Sequence, residues 1–196
     1  MIGSVNGGIP RIPFDPNAGW SFIFLVRQEE PPSLPLSLMT RTHSEDLPWN
    51  AQNSPGGKFA MARRSLSQAA GGQKDIGTWG GGHPFDLEIH RVPPGKINFP
   101  LHQHSAQWEA YYILTGSGKV RTQAGKEAIQ AGDYLVFAPG EAHQLINNGS
   151  EDLTFLVVAD QPQADVIHYP ESGKWMIKPQ RNVFEMQEAD YFKGEE

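Results

Sequence analysis

Between residues 85 and 160 the chain runs as short apolar stretches cut by turn residues. Phe85-Asp86-Leu87-Glu88-Ile89-His90-Arg91-Val92 alternates apolar and polar positions, the period-two pattern of a strand with one buried face, and its polar side holds His90. Runs at 111–114, 119–123, 126–130, 134–137, 143–147 and 153–158 follow at close intervals. They are separated by Gly116-Ser117-Gly118, Ala124-Gly125, Ala131-Gly132-Asp133, Pro139-Gly140 and Asn148-Gly149-Ser150. No helical periodicity intervenes, so the pattern predicts an all-β antiparallel sandwich or barrel over 85–160.

The flanks are less regular. Phe59, Ala62 and Leu66 keep a helix-like spacing, but the same residues would also line an edge strand, so 39–84 is read as an irregular segment packed on the barrel, ending in the Gly80-Gly81-Gly82 loop. Residues 1–38 are rich in Gly and Pro and hold one apolar run, Phe22 to Val26. That arm is either poorly ordered or a strand, over 20–26, that pairs with a neighbouring subunit. In the extension 161–196, a strand at 166–169, a turn at 170–174 and the run Trp175-Met176-Ile177 are expected to close an edge.

With 196 residues the chain suits one domain with appendages. It has no cysteine, which removes disulfides, thiolate metal sites and cysteine nucleophiles and makes a reducing, cytoplasmic location the default expectation. A net charge of −6 offers no field for a nucleic-acid backbone, and the apolar run at 22–26 is too short to span a membrane. The expected partner is a small molecule.

The metal-ligand residue types are concentrated in one stretch. His102 and His104, one residue apart on an extended strand, project from the same face and can grip one ion. Glu109 is an odd number of positions beyond His104, so the chain must turn or shift register at Ser105-Ala106-Gln107 to bring its carboxylate back. Further on, 132–147 reads as turn, buried strand, turn and a strand that opens with His143.

These two stretches resemble the paired motifs of the cupin superfamily: Gly95, His102-x-His104, Glu109 and Gly116, then Gly132, Gly140, His143 and Asn147. Ala138 stands where the family's usual proline falls, and Pro139 follows it, a departure in a turn and not in a ligand. The resemblance implies a jelly-roll (double-stranded β-helix) barrel, pairing into a homodimer, and a metal site of His102, His104, Glu109 and His143. Three imidazoles and a carboxylate suit one divalent transition ion, Fe, Mn, Ni, Cu or Zn, and not Ca or Mg.

Strand parity from Glu109 points Tyr111 and Ile113 inward, and from His143 it points Leu145 and Asn147 inward, which predicts a mainly apolar pocket. Tyr111 carries the one hydroxyl in that set able to orient a ligand, so Glu109 and Tyr111 are the candidate catalytic residues. Gln107 and Trp108 are placed near the mouth. The function expected is binding or turnover of a small acid, sugar or diol. A dioxygenase, an isomerase or decarboxylase, and a non-enzymatic binding or sensing module all remain open.

Overall fold

The structure is a computed structural model, and residues 39–195 are described. The expectations for 1–38, the 20–26 strand included, lie outside the described residues. The strands are β1 (Asn50–Asn53), β2 (Ala60–Ser65), β3 (Phe85–Val92), β4 (Gln103–His104), β5 (Glu109–Thr115), β6 (Ser117–Thr122) and β7 (Gly125–Gln130). They continue as β8 (Tyr134–Phe137), β9 (His143–Ile146), β10 (Leu153–Asp160), β11 (Asp165–Tyr169), β12 (Lys174–Lys178) and β13 (Asn182–Glu185). Helix among the described residues is confined to α1 (Leu66–Ala69) and two short 3-10 turns. The all-β expectation holds.

One sheet runs β1-β2-β3-β10-β5-β8. Opposite it, β7-β6-β9 and β13-β12-β11-β4 are joined through the segment leading into β4, where His102 and His143 form a bridge and Ile97 pairs with Ile146. Residues 59–66, open between helix and strand, supply both: β2 pairs with β3, and α1 follows it directly. Residues 39–84 thus add two strands to the main sheet instead of covering it.

β10 is the central strand, hydrogen-bonded to β3 on one side and β5 on the other. Its inward side chains, Leu153, Phe155, Val157 and Ala159, become smaller toward its C-terminal end. The large pair packs with Val92, Ile113, Leu145 and Val120 to fill one end of the barrel. Val157 and Ala159 leave room at the other, and a cavity of about 110 Å³ opens over them. At the β5–β6 corner Gly116 adopts φ +80°, and a Cβ there would meet the Asp152 carbonyl oxygen at 2.4 Å, so only glycine allows both the turn and the close approach.

In β3 it is the polar face that turns inward. Asp86, Glu88, His90 and Val92 are the buried positions, while Phe85 is exposed and Leu87 and Ile89 are only half-buried. The outer face of the same sheet also exposes Tyr112, Leu114, Tyr134 and Val136.

Candidate metal centre

Backbone carbonyls orient two of the three histidine rings, and a carboxylate orients the third. The ring Nδ1 of His102 lies 2.9 Å from the Pro100 carbonyl, and that of His143 lies 3.0 Å from the Glu141 carbonyl. Because a carbonyl only accepts, both Nδ1 atoms carry the proton and both Nε2 atoms present lone pairs. Gly140, at φ +87°, shapes the turn before β9 and donates its N–H to the His104 carbonyl at 2.8 Å, tying that turn to β4. His104 donates Nδ1–H to Asp165 at 2.6 Å, which also leaves its Nε2 free. The expected turn at 105–107 is present, and Asp165 pins it, accepting from the Ala106 N–H at 2.9 Å and from the Ser105 hydroxyl at 3.2 Å.

Glu109 returns from that turn as the first residue of β5, and its Oε2 is the point on which the rings converge. It lies 2.8 Å from His143 Nε2 and 3.7 Å from His104 Nε2. One ligand atom from each of His102, Glu109 and His143 lies within 4.8 Å of the other two, so these three side chains could hold a metal ion. His104 stands outside this trio while facing the same oxygen. Two acceptors at 2.8 Å, a lone-pair nitrogen and a carboxylate oxygen, require a positive charge between them. A metal cation placed there would satisfy both. The donor set therefore fits a divalent transition ion.

Electrostatics agree with that chemistry. Burial pushes His102 down, and the neighbouring His143 and His104 push it the same way, to about 3. Burial acts to raise the Glu109 carboxyl, but the His143 hydrogen bond and the surrounding imidazoles outweigh it and hold the group well below the usual carboxylate range. Tyr111 donates its hydroxyl to Glu109 Oε2 at 2.8 Å, and burial together with the Glu109 charge raises it well above 10, so it is a donor and never a base near neutrality.

Apolar side chains line the pocket as expected, but charged residues share it. Tyr111 lines it, whereas Ile113, Leu145 and Asn147 point inward but belong to the packed interior. The lining includes Arg63, Lys74, Asp86, Glu88 and His90 on one wall and Asp75, Lys178 and Arg181 near the entrance. Gln107 is buried and lines the cavity, accepting from Lys178 at 2.8 Å; Trp108 is half exposed and does not. His90 is buried and hydrogen-bonded, with Nε2 2.9 Å from Glu88 Oε2. Asp75 pairs with Lys178 at 3.0 Å and Arg181 at 2.7 Å. Asp75 and Arg181 are the non-glycine residues with left-handed backbone among those described, and such strain gathers where a ligand site over-determines the chain.

Asp165, Glu88 and the charged wall escaped the sequence reading. Asp165 stands 61 residues from His104 and no spacing links them. The wall had a signal, the row Asp86, Glu88, His90, but alternation defines two faces without saying which is inside.

Burial works to raise Asp165, yet the His104 hydrogen bond, the Ala106 N–H and Lys178 bring it down to about 2. For both His102 and Asp165 the folded value lies below the unfolded one, so the folded state resists protonation and each contributes stability that is lost as pH falls. The His102 share disappears between about pH 6.5 and 3, and the Asp165 share between about pH 4 and 2. Metal-free protein is expected to lose a few kcal/mol across this range. Denaturant melts at pH 7, 5 and 4 check it, and an unchanged midpoint between pH 7 and 4 would contradict it.

Residues 88–159 match the Cupin domain family. The chain is 40% identical over 68 residues to an oxalate-binding protein of Thermotoga maritima, an alignment covering 35% of this chain and 55% of that protein. The chain thus spans about half the length of that curated relative. Among solved structures, a sugar phosphate isomerase of the cupin superfamily from Silicibacter pomeroyi superposes with a TM-score of 0.61 at 19% identity, covering 74% of this chain and 90% of that one. A protein of Thermotoga maritima described as a predicted oxalate decarboxylase superposes with a TM-score of 0.50 at 27% identity, covering 64% and 100%.

Fold and site together define a jelly-roll barrel with a histidine and glutamate centre suited to a small ligand. Residues 88–159 form its cupin domain.

Proposed function

We propose that this protein holds one divalent transition metal on His102, His104, Glu109 and His143 and uses it to bind a small organic acid. The observation that carries the reading is the meeting of lone-pair nitrogens with one carboxylate oxygen, His143 Nε2 lying 2.8 Å from Glu109 Oε2, where a cation is needed. An ion in that position supplies a Lewis acid with open positions for ligand oxygens. Tyr111 holds Glu109 in orientation and keeps a protonated hydroxyl at the edge of the cavity.

The small-acid class is favoured by size and charge. A cavity of about 110 Å³ has the volume of about four water molecules, the scale of a short carboxylic acid and well below that of a drug-sized ligand. Of the four cationic side chains that line it, Lys74, Lys178 and Arg181 are paired with Asp86 or Asp75 at 3.0 Å or less, and Arg63, 3.8 Å from Glu88, is the one placed to meet a ligand carboxylate. The oxalate-binding relative points the same way. The likeness to the sugar phosphate isomerase supports the fold alone.

Elemental analysis of the purified protein, followed by calorimetric titration of oxalate and malonate into metal-loaded and stripped forms, tests the reading. One-to-one binding confined to the loaded form is expected, and equal binding to the stripped form would overturn it. Carbon dioxide release or dioxygen uptake in the same mixtures would identify a decarboxylase or a dioxygenase.

The proposal extends to a homodimer through the outer sheet face, where Tyr112, Leu114, Tyr134 and Val136 leave apolar surface exposed. Light scattering over a dilution series should give twice the chain mass, and a monomer at every concentration would refute the pairing.

A further inference from the structure

The floor of the cavity is β10, through Val157 and Ala159. Glu109 and Tyr111 rise from β5 on one side of that floor; Glu88 from β3 and Arg63 from β2 rise on the other. The span is short, because the Glu88 charge reaches across it and helps to raise the Tyr111 hydroxyl.

Strand parity fixes the direction of Arg63. Met61, Arg63 and Ser65 share one face of β2. Met61 belongs to the barrel core and Ser65 donates to Glu88 Oε1 at 2.7 Å, so Arg63 between them points inward and lines the cavity. Arg64 takes the outer face and is fully engaged there, donating to Glu45 at 2.6 Å and lying 4.3 Å from the centre of the Trp49 ring.

The other cations of the cavity hold carboxylates of this chain. Lys74 donates to Asp86 at 2.5 Å, while Lys178 and Arg181 share Asp75 at 3.0 and 2.7 Å. Glu88 is already engaged as well, with Oε1 accepting from Ser65 and Oε2 facing His90 Nε2 at 2.9 Å. Arg63 donates no hydrogen bond among the described residues. Its contact with Glu88 runs through Nε at 3.8 Å, beyond hydrogen-bond reach, so the paired NH2 groups of the guanidinium are uncommitted. The side chain is only 23% exposed and never loses its charge near neutrality, so it is a partly desolvated cation awaiting a counter-ion.

The charge of the whole cavity asks for an anion too. Four anionic side chains, Asp75, Asp86, Glu88 and Glu109, balance the four cationic ones in the lining. A divalent ion on the histidines then leaves positive charge in excess, even with Asp165 counted behind His104. A ligand carboxylate on the ion offsets part of it and leaves the guanidinium fork unmet, whereas a second carboxylate across the floor takes both fork donors. We propose that Arg63 binds the remote carboxylate of a ligand whose other end coordinates the metal, so that the ligand is a short dicarboxylate and not a monoacid. This rests on the metal-centred reading above and deepens it. Arg63 is a specificity-determining residue, and Glu88 holds its charge against the wall without occupying the fork.

The test uses the full chain loaded with cobalt(II), with occupancy measured by elemental analysis, and follows the visible absorption of the ion during titration with acetate, malonate and succinate. All three acids are expected to move the spectrum, since each offers the metal a carboxylate. Arg63→Met should weaken malonate and succinate by about tenfold to a hundredfold, the effect of losing a charge-assisted contact, while leaving acetate affinity and cobalt content nearly unchanged. Arg63→Lys, which keeps the charge in the wall, should recover only part of the loss, because a point charge cannot reproduce the fork. Wild-type affinity for both diacids in either folded variant, an equal loss for acetate, or a loaded wild type that binds acetate but neither diacid would each overturn the proposal. Failure of wild type to take up cobalt, or a spectrum that none of the acids moves, would instead overturn the metal reading.

Discussion

His143→Ala is expected to leave a folded barrel that no longer retains metal, with affinity reduced by more than the roughly hundredfold typical of losing a supporting residue. His143 is 1% exposed and stacks on Phe137 with ring centroids 4.0 Å apart, so the backbone and Phe137 define its position before any ion binds. Alanine removes the nitrogen closest to Glu109 and leaves that carboxylate buried against a void. The metal-free variant should therefore also be less stable than metal-free wild type, by about 3 kcal/mol, the cost of breaking a buried pair. The barrel survives because its far end, Leu153, Phe155, Ile113 and Val92, does not depend on the site. Metal content after loading and desalting, read beside a thermal melt, checks both halves. Wild-type stoichiometry and affinity in a folded His143→Ala protein would remove His143 from the site.

The parts legible in the sequence were those carried by local pattern. Turn glycines and period-two alternation located most of the strands from β3 to β10, with ends shifted by at most two residues, because burial and turn chemistry act within a few positions. The grouping of His102, Glu109 and His143 was legible because the turn at 105–107 and the turn before His143 are local too. What stayed hidden depends on distant pairing. β1 and β13 are short and show four exposed residues each, so neither has an alternation to read. β3 shows the limit most clearly. The usual preference would bury Phe85, Leu87 and Ile89, but the interior at that end of β10 is lined by Val157 and Ala159, too small to fill it. The polar row turns inward, and its hydrogen bonds to Ser65, Ser67 and Lys74 offset the burial of Asp86 and Glu88. A polar strand face directed into a barrel is itself a sign of a ligand site, but it becomes readable only once the neighbouring strand is known.

Asp165 gives the sharpest separation between holding the fold and holding the metal. It accepts from the His104 ring through one oxygen and from Ser105, Ala106 and Gln107 through the other. It thus fixes both a candidate ligand and the turn that returns Glu109. Asp165→Ala should lower metal affinity by about tenfold to a hundredfold and destabilise the barrel by several kcal/mol, since buried donors lose their acceptor. Asp165→Asn divides these effects. Its single oxygen cannot serve both sides, and with that oxygen kept on the Ala106 and Gln107 amides the NH2 group turns toward His104. Nδ1 must then accept, the ring proton moves to Nε2, and the atom that faces Glu109 loses its lone pair. Asp165→Asn is therefore expected to keep much of the stability that Asp165→Ala loses, yet to weaken metal binding about as severely. Competition with a calibrated chelator gives the affinities, and denaturant melts of the metal-free proteins give the stabilities. If Asp165→Asn binds metal as tightly as wild type, His104 is not held as a ligand by this carboxylate, and the four-ligand site contracts to His102, Glu109 and His143.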